Sequence, residues 1–233
     1  MQLFYAPDLE LSAQLPVDEA KHCLKILRHQ VGELIRVTDG KGSFFDCEIL
    51  NSKDASLKII RKENDPNTSR HSLHIAVAPT KSGERTDWMI EKLIEFGIEE
   101  ITFIDCDHSE RTKINLERCE RIAISAMKQS LKSVLPKINP LITFKKFIEM
   151  NHGPNCSKII AHCDESGIKN EIASLTLLPK TICCIGPEGD FSKQEIILAR
   201  EHQFAEVALG SSRLRTETAA LAVGAYYYFY QTK

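Results

Sequence analysis

The chain has 233 residues, with 30 Lys and Arg against 32 Asp and Glu for a formal net charge of -2; 42% of its residues are hydrophobic and 27% charged. These figures describe an ordinary soluble globular chain, argue against a uniformly basic polyanion binder, and allow one or two domains at about 100–200 residues each. No apolar run approaches the roughly 18 residues of a membrane span, and the opening MQLFYAPDLE lacks the basic and apolar regions of a signal peptide, so a cytoplasmic protein without a membrane partner is expected.

The eight cysteines form no CxxC pair and the eight histidines show no ligand spacing, so buried reduced thiols are expected and no metal site.

The predicted elements begin with a helix over 18–29, whose apolar stripe would be Val17, Ala20, Leu24, Leu27 and Val31. Lys21, Lys25 and Arg28 fall on another stripe, which suits either a phosphate backbone or, more commonly, solvent. Short β-prone runs follow at 34–37, 43–49 and 56–60, and Asp39-Gly40 is a hairpin signal between the first two. The linker-like stretch 65–69 marks a boundary between a small β-rich domain, 1–68, and a second domain, 69–233.

Beyond it, strands (73–78, 100–106, 157–162, 181–185, 205–209) alternate with helices (85–96, 116–131, 193–203, 218–230), which implies a parallel sheet covered on both faces. Between Arg121 and Lys146 lie six Lys or Arg and no carboxylate; Arg121, Lys128 and Lys132 would share one helical face and could steer a polyanion.

Two strand–loop–helix junctions stand out, IGPEGDFS at 185–192 and LGSSRLRTETA at 209–219. Gly186 and Gly189 permit close backbone approach and Pro187 stiffens the turn between them. Ser192 with Glu195 reads as a capping box. Arg213, Arg215 and Glu217 stand at the mouth of the last helix, a grouping that suits a polar substrate with anionic parts. In open α/β sheets, loops at the carboxyl ends of strands form the ligand crevice.

These two strings resemble the signature loops of the knotted SPOUT methyltransferases, and closely those of the RsmE-type 16S ribosomal RNA uridine N3-methyltransferases. Asp190 departs from that pattern, standing where a second Gly is usual. The run 22–28 (HCLKILR) with Gly32 resembles the opening of the family's PUA-like RNA-binding barrel. The stretches 80–85, 91–97 and 126–136 resemble further family segments, with Lys128 and Lys132 in place of the usual Glu and Arg.

The resemblance implies an α/β fold: a C-terminal SPOUT-like parallel sheet with a trefoil knot, preceded by a small PUA-like β-barrel. It implies S-adenosylmethionine as methyl donor, held by three loops. These contribute His162 and Cys163 from 162–167; Ile185, Gly186, Pro187, Glu188 and Gly189; and Leu209, Gly210, Ser212, Leu214 and Arg215. It also implies 16S rRNA, within the small ribosomal subunit, as substrate, with Lys21, Lys25, Arg28, Lys81, Lys92, Arg111, Lys128 and Lys132 as candidate RNA contacts, and a homodimer.

For the chemistry, Arg215 is expected to stabilise the uracil anion. Glu217 would orient it or accept the N3 proton, and Glu188 is a second carboxylate in reach. Glu217 is equally suited to stabilise a helix N-terminus. A non-catalytic RNA-binding assembly factor, for which Asp190 and Lys132 would be the departures that fit lost turnover, and methylation of another RNA or base atom remain open alternatives.

Overall fold

A computed structural model describes residues 2–66, 72–163 and 169–230. It divides into two compact units, Met1–Thr68 with Ile124–Leu135, and Ser69–Ala123 with Pro136–Lys233.

In the first unit, β1 (Leu3–Tyr5), β2 (Leu34–Thr38), β3 (Ser43–Ile49) and β4 (Leu57–Asn64) form one sheet in that order. β1 and β2 are parallel and the remaining pairs antiparallel. The turn between β2 and β3 closes because Asp39 Oδ1 accepts from the backbone N–H groups of Lys41 and Ser43 (2.7 and 3.2 Å), with Gly40 at φ 72°. Alternation along β2 and β3 sends Ile35, Val37, Phe45, Cys47 and Ile49 into a core that Phe4, Leu9 and Leu57 complete.

The first helical region departs from its expected periodicity. After α1 (Leu9–Ser12), α2 (Val17–Lys21) passes into one π-helical turn, His22–Ile26, and Arg28 takes a left-handed φ of 60°. The wide turn carries an extra residue and rotates the following side chains. The expected apolar stripe is therefore not the buried one. Val17, Leu27 and Val31 are exposed, while Ala20 and Cys23 are buried and Leu24 packs against the core from a half-buried position.

The second unit is a seven-stranded parallel sheet of β5 (Ser72–Val77), β6 (Glu100–Asp105), β7 (Lys137–Thr143), β8 (Cys156–Ala161), β9 (Asn170–Glu171), β10 (Lys180–Ile185) and β11 (Ala205–Ala208), in the order β7-β6-β5-β10-β8-β11-β9. Its helices are α3 (Gly83–Glu95), the start of α4 (Leu116–Gln129), α5 (Phe144–Ile148), α6 (Lys193–Glu201) and α7 (Thr216–Tyr230). β5 and β10 read as nearly continuous buried runs, as strands covered on both faces must. A core cluster joins Ile160, Ile182 and Cys184 of the sheet to Phe144 and Phe147 of α5 and Ile196 and Ala199 of α6.

Helix α4 stops at Gln129 and Leu131 turns left-handed (φ 54°), so Lys132 leaves the helical face expected for it. Of the eight cysteines, six are buried, but Cys156 is half-buried and Cys163 exposed. Among the described residues no helix is long and apolar enough to cross a membrane.

Candidate active site

The parallel order brings the carboxyl ends of β8, β10 and β11 side by side, and their loops enclose a cavity of about 560 Å³. That size falls within the range of small-molecule sites. β8 supplies His162 and Cys163; β10 supplies Ile185, Gly186, Pro187 and Glu188; β11 supplies Leu209, Gly210, Ser212, Leu214 and Arg215. Ala161, Lys169, Asp190, Val207, Ala208, Ser211, Arg213, Thr216 and Ala219 complete the wall. Residues 164–167 of the first expected loop lie outside the described residues.

The two glycine-bearing loops are joined directly, because the buried Thr216 hydroxyl donates to the Gly186 carbonyl (2.9 Å). Each glycine has its own reason. A Cβ on Gly186 would press against the Phe191 ring at 3.1 Å, and one on Gly189 would come within 2.8 Å of His108 Cβ, so both are required by packing behind the loop. Gly189 itself is not on the cavity wall. Gly210 has φ 132° and open space around it, a backbone shape that an L side chain resists.

The expected capping box is present. Ser192 Oγ accepts from the Glu195 N–H (3.2 Å) and Glu195 Oε2 from the Ser192 N–H (2.8 Å). Glu195 also accepts from the Asp107 N–H (3.0 Å), which fastens the loop after β6 to the start of α6. Burial pushes the Glu195 carboxyl above its usual range.

Asp190 accommodates the departure from the family pattern. Its φ of 64° is the left-handed conformation a glycine would take, which Asp tolerates better than most residues. Its Oδ2 accepts from the Cys163 N–H (2.7 Å) and its Oδ1 from the Phe191 N–H (2.9 Å). The side chain thus ties the loop after β10 to the loop after β8.

Of the three candidate catalytic residues, Arg215 and Glu188 line the cavity. Glu188 Oε1 accepts from the Lys81 N–H (2.9 Å). Glu217 is placed elsewhere. Its buried carboxylate lies 3.7 Å from the Arg85 guanidinium, one oxygen lacks a hydrogen-bond partner, and it is not part of the cavity wall. Sitting in the first turn of α7, it has the position of a helix-stabilising carboxylate.

The candidate RNA contacts separate in the same way. Lys21, Lys25 and Arg28 are exposed in the first unit. Lys128 is half-buried in an ion pair with Glu19, which also accepts from the Tyr5 N–H; Lys132 is half-buried, and burial lowers its ammonium pKa. In the second unit, Lys81 pairs with Glu110 (2.7 Å) and Lys92 with Glu91 and Glu95 (2.7 and 2.8 Å). Arg111 donates to the Lys113 carbonyl and packs on Gly83. Such pairing reduces their availability to phosphate.

Sequence reading missed the Thr216 side-chain tie to Gly186, Lys169 and the Glu206–Arg200 pair. Glu206 accepts from Arg200 Nε (2.7 Å) and lies 3.1 Å from His162 Nε2, while Lys169 Nζ donates to the His162 carbonyl (3.1 Å). These partners are 6 to 44 residues apart, and nothing local announces them.

Residues 67–227 match the RNA methyltransferase domain family and residues 15–60 the RNA methyltransferase PUA domain family. A ribosomal RNA small subunit methyltransferase E from Mesomycoplasma hyopneumoniae is 32% identical over 178 residues, covering 74% of this chain and 75% of that one. The crystal structure of a probable rRNA-methyltransferase from Porphyromonas gingivalis superposes with a TM-score of 0.93 at 44% identity, covering 100% of this chain and 99% of that one. The ribosomal RNA small subunit methyltransferase E from Neisseria gonorrhoeae bound to S-adenosyl methionine gives 0.86 at 28% identity, covering 97% and 96%. With both domains matched and the loop cavity in place, this chain belongs to the ribosomal RNA small subunit methyltransferase E family of RNA methyltransferases.

Proposed function

We propose that this protein methylates N3 of a specific uridine in 16S rRNA, with S-adenosylmethionine as donor, acting as a homodimer on the small ribosomal subunit. The observation that carries the reading is the single cavity formed by the loops after β8, β10 and β11, with Arg215 on its wall. The bound donor would supply an electrophilic methyl group; the chain's own task is alignment and charge stabilisation.

The backbone of Gly186–Glu188 and Leu209–Leu214 would hold the donor, with Gly210 leaving open the space that a Cβ would occupy. Methylation at N3 requires that the uracil lose its N3 proton, leaving charge on the imide. Arg215, exposed on the wall, suits that charge. Of the two wall carboxylates, Asp190 already accepts from two backbone N–H groups, and Glu188 is the one that could take the proton. Glu217 would act at one remove, holding the start of α7 through Arg85. The base must be unpaired or flipped out to enter.

In the first unit, Lys21, Lys25 and Arg28 would track the RNA backbone, and the functional division would follow 1–68 and 69–233. A trefoil knot belongs to the same proposal, supported by the insertion of β10 between β5 and β8. Exposed Tyr228 and Phe229 on α7 suit a second copy of the chain.

Mass spectrometry of 16S rRNA from cells with and without the gene tests the reading. One N3-methyluridine should disappear on deletion and return with the parent gene but not with Arg215→Ala. An unchanged modification profile would overturn it.

A further inference from the structure

The His162 side chain lines the cavity but is only 1% exposed. Its Nε2 lies 3.1 Å from Glu206 Oε2, and its Nδ1 is buried without a hydrogen-bond partner. The other Glu206 oxygen accepts from Arg200, whose hydrogen bond holds the Glu206 carboxyl below its usual range, so Glu206 is an ionised, acceptor-only group. Nε2 must then carry the proton. In the neutral ring this leaves Nδ1 as a bare acceptor with no donor among the described residues.

A buried acceptor left unmatched is costly, and because His162 is one of the residues lining the cavity, a ligand seated there is the candidate partner. We infer that His162 Nδ1 reads a hydrogen-bond donor on the adenosine part of the methyl donor, the exocyclic amine or a ribose hydroxyl, with Glu206 and Arg200 as positioning residues that fix the tautomer. The inference rests on the proposed cofactor and adds to its backbone cradle a side-chain specificity element.

Two substitutions separate the nitrogens. Asn places its side-chain oxygen near the position of Nδ1 and loses the link to Glu206, whereas Gln reaches Glu206 and gives up the Nδ1 acceptor. S-adenosylhomocysteine is titrated calorimetrically into the parent, His162→Asn and His162→Gln, with melting curves taken without ligand. The expected result is affinity reduced about tenfold or more in His162→Gln and within about threefold of the parent in His162→Asn. Parent-like binding by His162→Gln, or an equal loss in both variants, would overturn the inference.

Analogues lacking the 6-amino group or one ribose hydroxyl identify the donor. The relevant deletion should weaken binding to the parent and leave the affinity of His162→Gln unaltered. Coupling at none of these positions would also overturn it. No binding by the parent itself would instead count against the proposed cofactor.

Discussion

Arg215 and Asp190 show how much rests on single side chains at the cavity. Arg215 is exposed and its guanidinium has no ion-pair partner among the described residues, so its charge is available to a substrate. Arg215→Ala should lower kcat by about 10²–10³-fold, the usual loss for one donor to a developing anion, with an unchanged melting temperature. Arg215→Lys should recover only part of the rate, since an ammonium lacks the planar fork. Asp190 combines a left-handed backbone with two hydrogen bonds. Asp190→Ala keeps the unfavourable φ and loses both bonds, a cost of about 2–4 kcal/mol in chemical denaturation. Asp190→Gly relieves the backbone and should cost roughly 1 kcal/mol less than the alanine variant. Equal losses would show that the backbone conformation is irrelevant. Asp190 thus keeps the backbone shape a glycine would take at this position.

The elements carry a separate prediction at the far end of the sheet. His74 of β5 is buried, donates to or accepts from Thr102 Oγ1 at 2.7 Å, and has its pKa lowered to about 4 by burial, against the opposing Glu100 carboxylate 3.6 Å away. His152, Lys180 and Lys137 add to the lowering. The unfolded chain therefore binds more protons than the folded one between about pH 6.5 and 4. The contribution of this histidine to stability is fully present above that window and is lost as pH falls through it, by up to about 3 kcal/mol. Urea unfolding at pH 7.5 and 5 should show the loss, and His74→Gln should flatten it. Most of the parallel sheet was legible because its central strands are short apolar runs between helical patterns. β7 was not, because Lys137, Asn139 and Pro140 interrupt it; it tolerates that proline as an edge strand paired only with β6. Beyond Lys21 the stripe of the first helical region failed for a different reason: the π turn at His22–Ile26 breaks the 3.6-residue period on which such stripes depend, while Val17, ahead of it, is exposed at the first residue of α2.

For the whole molecule, charge was the least legible property. The run of six cations between Arg121 and Lys146 looked uncompensated, yet Lys128 meets Glu19, 109 residues away in sequence. A compensating carboxylate at that distance cannot be found by local counting. Lys21, Lys25 and Arg28 keep their exposure, and changing all three to Ala should weaken RNA binding and reduce the log–log salt slope by about 2–3. An unchanged slope would remove this face from the RNA path. The two glycine-bearing junctions and the capping box, in contrast, were legible locally, and the residues around the cavity were named through the resemblance of those strings to a known family. What could not be read were the long-range ties, Thr216 to Gly186 and Asp190 to Cys163, that hold the loops together. A crystal structure of the protein with S-adenosylhomocysteine tests this account most directly. It predicts the ligand in the cavity, against the backbone of Gly186–Glu188 and Leu209–Leu214; a ligand bound elsewhere, or that cavity empty at saturating concentration, would contradict it.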